Sequence, residues 1–497
     1  MVPERLVVNG EVLENLYIGS DFELPLNTLD IQFVSQARRI ITQKNYATSD
    51  PIVPLVYNNQ IDKYHIDEVI EEVTRFLQTD DPAKIQFSEK EWYWEGYIKG
   101  PDQFNYNETL EFFVFNIELK LTEKYRLSNT QYTNTAISDV VDVVNEGTAD
   151  TDMIVEATAL ENSTMFMITK GDDDYFMVGR PVDAFKGEVD DTPTVWLARD
   201  TTFNTFTARP DGEFVGEANL TGQYVSGHMY MGGNDGNKVV ADYGTNPESW
   251  PWHGPVYRKS LSNPVGDFHT RSAFIVNQKN GRGVGKSFIH LYDEAGNRVL
   301  SYGFVESLNV GSNVRAVVRL YTSDGGYEEI FQSAGDLNGG RFGQDYADRW
   351  FWVSVDRIGR RYVVKTWSNY TENGIKKVAS RDAVTFNDNE GLFNRTIAIG
   401  EIAMAKHKDY PEVETYTFWA RIQDQLELGD AVPYLIKKGD EILIDTKQSL
   451  VLLNDEPITS EKDFGSNYFK IDKGLNRLLI EPQGRFDTTV KWYDRYL

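Results

Sequence analysis

GDEILIDTKQSLVLLNDEPITSEKDFGSNYFKIDKGLNRLLIEPQGRFDTTVKWYDRYL, residues 439–497, decides the architecture. Short apolar or alternating runs at Glu441–Asp445, Ser449–Leu453, Tyr468–Ile471, Arg477–Glu481 and Thr489–Tyr493 are separated by Asn454-Asp455, Lys473-Gly474 and Gln483-Gly484. Alternation bounded by turn residues is the pattern of antiparallel strands. A set of hairpins this short, with no helix to cover it, buries too little surface to stand by itself. The stretch reads as half of a sandwich whose other strands lie elsewhere in the chain.

The whole chain bounds where that half can be. Its 497 residues exceed what one core supports, so about three domains are expected. A hydrophobic share of 40% and an aromatic share of 13% suffice for globular packing rather than disorder. No apolar run reaches the roughly 18 residues of a membrane span. The start, MVPERLVVNGEVLENLYIG, lacks a basic segment followed by an apolar one, so no secretory signal is expected. The absence of cysteine excludes disulfides, thiolate nucleophiles and Cys-built zinc sites. The six histidines are scattered without an HxH or HExxH pair. A formal charge of −26 argues against nucleic-acid partners, which require clustered Lys and Arg.

Taken in order, residues 1–30 read as a hairpin turning at Asn9-Gly10, and Asp30–Thr42 and Ile52–Tyr57 as strands. HIDEVIEEVTRFLQTDDP, residues 65–82, spaces Ile66, Val69, Ile70, Val73, Phe76 and Leu77 as one helical face and ends at Asp80-Asp81-Pro82. Strands at Ile85–Phe87, Glu91–Lys99 and Glu108–Leu121 complete an α+β unit over residues 1–128. A polar link, SNTQYTNT (128–135), leads to strands at Ile137–Val144, Met153–Thr158 and Thr164–Thr169, which supply the missing half-sandwich. The second domain is therefore discontinuous, 135–182 plus 426–497, and residues 183–425 are an insertion. The insertion is strand-rich with Gly-containing turns and no convincing amphipathic helix, which suggests a jelly-roll or lectin-like sandwich. The fold class is mostly β, with the α+β unit at the N-terminus.

This arrangement resembles the distal tail proteins of long-tailed phages. The resemblance is carried by GSNYFKIDKGLNRLLIEP (465–482), by the aromatic last strand VKWYDRYL (490–497) and by VVNEGTADTDMIVEA (143–157). In the last of these, Met153 stands where the family often has Pro. Residues 60–127 resemble the family's N-terminal domain, and ESWPWHGPVYRKSLSNPVGDFHTRSAFIV (248–276) resembles inserts in tail proteins of phages of Gram-positive hosts. The resemblance implies a homo-hexameric ring at the tail tip, formed by N-terminal domains, with galectin-like β-sandwich domains outside it. It further implies a carbohydrate-binding insert facing host cell-wall polysaccharide, and tail tube protein and a tail-associated lysin, adhesin or other baseplate protein as partners. The location would be the virion, assembled in the host cytoplasm, with no membrane partner.

Few constellations suggest chemistry. GRGVGKS, residues 281–287, has Asn280 where a phosphate-binding loop needs Gly, and Ser287 opens a strand. No cofactor is expected. Asp172-Asp173-Asp174 and Asp336–Asp345 offer oxygens for Ca²⁺ but lack EF-hand spacing, and solvated turns are the simpler reading. Glycoside cleavage needs two placed carboxylates; Glu188, Asp190 and Asp191 lie on an expected loop with nothing to pin them. An enzyme is not expected; a cell-wall glycan hydrolase and a free carbohydrate-binding protein are the alternatives. Trp250, Trp252, His253 and Tyr257 cluster in a Pro/Gly-broken loop and form the candidate saccharide site, since a pyranose face stacks on flat rings. The competing reading is that these rings plug one end of the insert. Trp350 and Trp352, beside Phe351 and Val353, read as core.

Overall fold

The computed structural model describes residues 4–497 except 21, 23–27, 35–39, 48–49, 61–64, 80, 102, 108–110, 172–173, 183–187, 217–220, 233–237, 247–249, 279–281, 308–313, 333–349, 373 and 428–430. Two Ca²⁺ candidates, Asp172-Asp173 and Asp336–Asp345, lie outside the described residues, as do Asn280 and Gly281 of the glycine-rich stretch. The chain forms two compact units, 1–182 with 434–497, and 183–433. The fold is mostly β, as the alternation implied.

The first unit holds two cores. In the N-terminal one, strands Leu6–Val8, Ala83–Phe87, Trp92–Lys99, Phe112–Leu121 and Ile52–Asn58 follow one another as antiparallel neighbours. Helix Ile66–Leu77 buries Val69, Val73 and Leu77 in the same cluster as Leu55, Phe113 and Phe115. Asp67 and Glu68 occupy its first turn, where the helix dipole favours negative charge, and the Glu68 carboxylate accepts the His65 backbone N–H at 3.0 Å.

The second core joins distant stretches. Met153–Ala159 lies between the last strand, Phe486–Tyr496, and Glu441–Asp445, which pairs onward with Leu450–Leu453. Facing it is a four-stranded sheet ordered Val140–Asn145, Gly474–Glu481, Met165–Lys170, Asp174–Gly179. Val141, Val155, Phe166 and Ile168 pack with Ile444, Val451, Leu478 and Val490 in one cluster. Two details differ from expectation. The polar link SNTQYTNT is mostly strand Arg126–Thr135, held by backbone pairing to the last strand and interrupted by a bulge between Leu127 and Gln131. Tyr468–Ile471 forms no strand; Ile471 makes only an isolated bridge to Thr151.

Among the described residues, the second unit has two large sheets around a core that includes Phe274, Ile289, Tyr302, Phe304, Phe351, Val353, Ile402 and Ile422. The eight-stranded sheet centres on Val413–Asp424, Phe268–Gln278, Trp350–Ile358 and Arg361–Glu372. The ten-stranded sheet centres on Ile397–His407, Gly285–Tyr292, Arg298–Glu306 and Val314–Tyr321. Tyr302 crosses between the two, its hydroxyl within 2.8 Å of Thr270 and 3.1 Å of Ser272. Asp200–Thr205 forms a 3-10 turn before a short strand Thr207–Ala208.

Candidate functional site

The four residues expected to form a loop site lie largely on strands. Trp252–Gly254 and Val256–Val265 both pair with Ile397–His407, and Pro251 and Pro255 sit where each begins, positions at which the missing N–H costs no ladder bond. Pairing fixes which way each side chain points. Trp252 lies opposite His407 and packs against Phe288, Val305 and Val317 on the sheet's outer face, with the Lys286 ammonium 4.7 Å from its ring. Tyr257 lies opposite Ile402, packs on the main core and stacks on Phe203 at 5.5 Å. Trp252 and Tyr257 therefore face opposite sides of one sheet. His253 is buried; burial, then Lys406 and His407, pushes its imidazole down to about 4. Trp250 packs edge-on against Phe214 at 5.3 Å. The four do not converge on one ligand.

A different set of rings does converge. The pleat of Trp350–Ile358 sends Phe351, Val353 and Val355 into the main core and Trp350, Trp352, Ser354 and Asp356 to the opposite face of the eight-stranded sheet. Cross-strand register places Trp352 between Ala273 and Trp367. The Trp352 and Trp367 rings are 5.6 Å apart and 4° from parallel. Trp350 packs on Phe418 at 5.1 Å, and Phe418 meets Trp419 edge-on at 5.9 Å. Trp419 has φ 52° at a bulge in Val413–Asp424, which adds it to this face out of the regular alternation. Trp352 and Trp367 are buried within the group, whereas Trp350, Tyr416, Phe418 and Trp419 are half-buried.

Cations lie over these rings. The Arg199 guanidinium is 3.7 Å from the centroid of Trp419 and that of Arg271 5.3 Å from Trp352. The Lys238 ammonium is 5.0 Å from Trp350 and 5.5 Å from Tyr416. Such contacts hold donors in the plane above apolar rings. Along the same strand, Asp356 is within 2.7 Å of His269 and accepts from Gln425 at 3.5 Å. Burial pushes the Asp356 carboxyl upward, but His269 outweighs it and leaves the group below its ordinary range. The half-buried rings of Trp350, Phe418 and Trp419 follow one another at 5.1 and 5.9 Å, a row whose exposed edges and faces can meet the apolar faces of sugars, with the cations and backbone taking hydroxyls.

Trp350 and Trp352 read as core from the sequence because they alternate with nothing but apolar neighbours at first. The signal lay two residues further on. In WFWVSVD, residues 350–356, one parity continues Trp-Trp-Ser-Asp and the other Phe-Val-Val, so only the second is uniformly apolar. Trp367, Phe418 and Trp419 join the group through register and a bulge, which no short-range pattern encodes.

Residues 420–496 match the family model of the siphovirus-type tail component, C-terminal domain, and the resemblance drawn from the sequence holds over that stretch. No curated protein matches the chain. Among solved structures, the CBM2 module of the evolved Dit of Lactobacillus casei BL23 phage J-1 is similar at 12% identity, over 48% of this chain and 100% of that one, with a TM-score of 0.36. The SPP1 Dit protein is similar at 13% identity, over 36% of this chain and 76% of that one, with a TM-score of 0.31. The laminarinase catalytic domain of Thermotoga maritima MSB8 is similar at 9% identity, over 48% and 100%, also at 0.31.

Proposed function

We propose that this protein is a hub at the distal end of a phage tail, a ring of six copies between tail tube and adsorption machinery, whose insert binds host cell-wall polysaccharide. The family match over 420–496 supports the tail assignment. The observation that carries the saccharide reading is the row Trp419, Phe418 and Trp350 with Lys238 and Arg199 over its rings. It takes the place of the Trp250–Tyr257 group as the stacking surface. The role is binding without bond cleavage: Asp356, the carboxylate closest along the strand to the tryptophans, is engaged by His269 and Gln425 rather than held as a free acid or base. The protein would be made in the host cytoplasm and carried on the virion.

The test is Trp350→Ala and Trp419→Ala in the full chain, assayed on purified host wall polysaccharide. Each is expected to weaken binding roughly tenfold, the loss of one stacking ring at ~1 kcal/mol or slightly more. Both rings are half-buried, so the melting temperature should move little beside a core substitution. Unchanged binding in both variants would remove the aromatic face from the function. Light scattering of the purified protein tests the ring, and a monomer under all conditions would count against it.

A further inference from the structure

We propose that the insert carries a second saccharide site, a cavity on the outer face of the ten-stranded sheet that takes the uncharged end of a glycan chain. The cavity is an open hollow of about 340 Å³ between the turn that follows Tyr292, the turn that follows Tyr321 and the arm Arg209–Gly216. Its floor is locked by Glu401, which is fully buried, accepts from Arg209 at 2.5 Å and from the Tyr292 hydroxyl at 2.5 Å. Arg209 also donates to Glu213 at 2.6 Å. Burial, then Glu401, pushes the Tyr292 phenol upward, so it stays protonated and keeps its bond to Glu401 at any physiological pH. The Arg298 guanidinium lies 5.6 Å from the Tyr292 ring and 5.4 Å from the Tyr321 ring, donating to the Tyr292 hydroxyl and Thr221. Phe214, 39% exposed, flanks the mouth and is braced edge-on by Tyr224 and Trp250, each at 5.3 Å.

These parts specify a ligand. A flat apolar ring at the mouth beside guanidinium and amide groups suits a pyranose, which offers an apolar face and a rim of hydroxyls. The volume sits at the low end of the ~300–1,000 Å³ typical of small-molecule sites, room for one or two sugar rings rather than a chain in passing. Arg209 is already matched by Glu213 and Glu401, so the site does not depend on an anionic substituent. The aromatic face of the other sheet offers a row of rings, whereas this cavity accommodates a terminus. The inference shares with the proposed function only the ligand class, and its residues are separate.

The experiment is saturation-transfer NMR on the full chain with methyl glycosides of glucose, galactose, rhamnose and N-acetylglucosamine, and with glucuronate as the charged comparison. At least one neutral glycoside should receive saturation. Phe214→Ala removes the mouth ring, and Ser323→Trp fills the mouth from an exposed turn; each should lower the signal at least fivefold with the melting temperature retained. In a Trp350→Ala/Trp419→Ala background, which disables the aromatic face, glycoside saturation should persist and should still fall with each cavity variant, which separates this cavity from the aromatic face. Binding by no neutral glycoside, binding by glucuronate only, or a signal unmoved by both cavity variants would overturn the proposal. Loss of wall-polysaccharide binding in Trp350→Ala with glycoside binding intact would support both sites independently.

Discussion

His253 shows what a single buried side chain does to pH dependence. Only 3% exposed, with Nδ1 lacking a hydrogen-bond partner among the described residues, it is held neutral down to about 4. In the unfolded chain it protonates near its ordinary pKa of ~6.5. Between those values the unfolded state binds the extra proton, so stability present above the unfolded pKa drains away as pH falls towards the folded one. At ~1.4 kcal/mol per pKa unit, the loss by pH 4.5 is on the order of 2 kcal/mol. His290 and His407 are also pushed down by burial, and act in the same direction. His253→Gln should therefore narrow, without abolishing, the gap in melting temperature between pH 7 and 4.5; an identical gap in variant and parent would refute this account. The residue was legible in the sequence as part of an aromatic group, but its burial was not. That comes from pairing with Lys406 on a strand some 150 residues later in the chain.

At the level of elements, the legible strands were those with one apolar face. Met153–Ala159, Glu441–Asp445 and Gly474–Glu481 all alternate, and all fall close to where the pattern put them. Arg126–Thr135 has mostly polar side chains and reads as a link in the sequence, because what holds it is the backbone ladder to Phe486–Tyr496. Its one aromatic contact of note is Tyr132, which stacks on Trp492 at 5.9 Å. Trp492 is 6% exposed and also belongs to the core of the small sandwich. Trp492→Ala should cost ~3 kcal/mol, the lower end for a buried tryptophan, read as a lowered urea midpoint for the first unit. Loss of under ~1 kcal/mol would mean the last strand is held by its hydrogen bonds and not by this ring. The strand Trp252–Gly254 is hidden in the sequence for the opposite reason. Two prolines and a glycine in ESWPWHGPVY signal a break, and the chain meets that signal by ending one short strand and starting another beside the same partner.

For the whole molecule, the ends of the insertion matter most. Ser163 and Ile436 exchange both backbone hydrogen bonds, at 2.8 and 2.9 Å. Gly179, with φ +81°, lies against Thr164 and Leu435, and a Cβ there would come within 2.2 Å of the Thr164 carbonyl. The chain thus leaves the small sandwich near Arg180 and returns near Leu435 at the same place. Removing 183–433 and joining Val182 to Tyr434 through a short Gly/Ser linker should leave a cooperatively melting protein. Ending the chain at Pro433 instead removes Glu441–Asp445, Leu450–Leu453, Gly474–Glu481 and Phe486–Tyr496, and should aggregate. Circular dichroism and gel filtration of the two shortened chains decide the matter, and the reverse pattern would contradict the shared core.

That shared doorway also sets a schedule. During synthesis at ~5–20 residues per second, strands Val140–Gly179 wait on the order of 10–50 s before their partners leave the ribosome. In that interval Phe166, Ile168 and Phe176 have no opposing sheet. An unfolded tether of about 250 residues would make the eventual meeting a rare event, since closure entropy rises with length. Once the insert has folded, its two ends are held near each other and the tether is effectively a few residues long. The insert is thus a clasp that completes the small sandwich, and refolding of the first unit should slow when Val353→Ala weakens the insert's core, measured by stopped-flow fluorescence against the chain lacking 183–433.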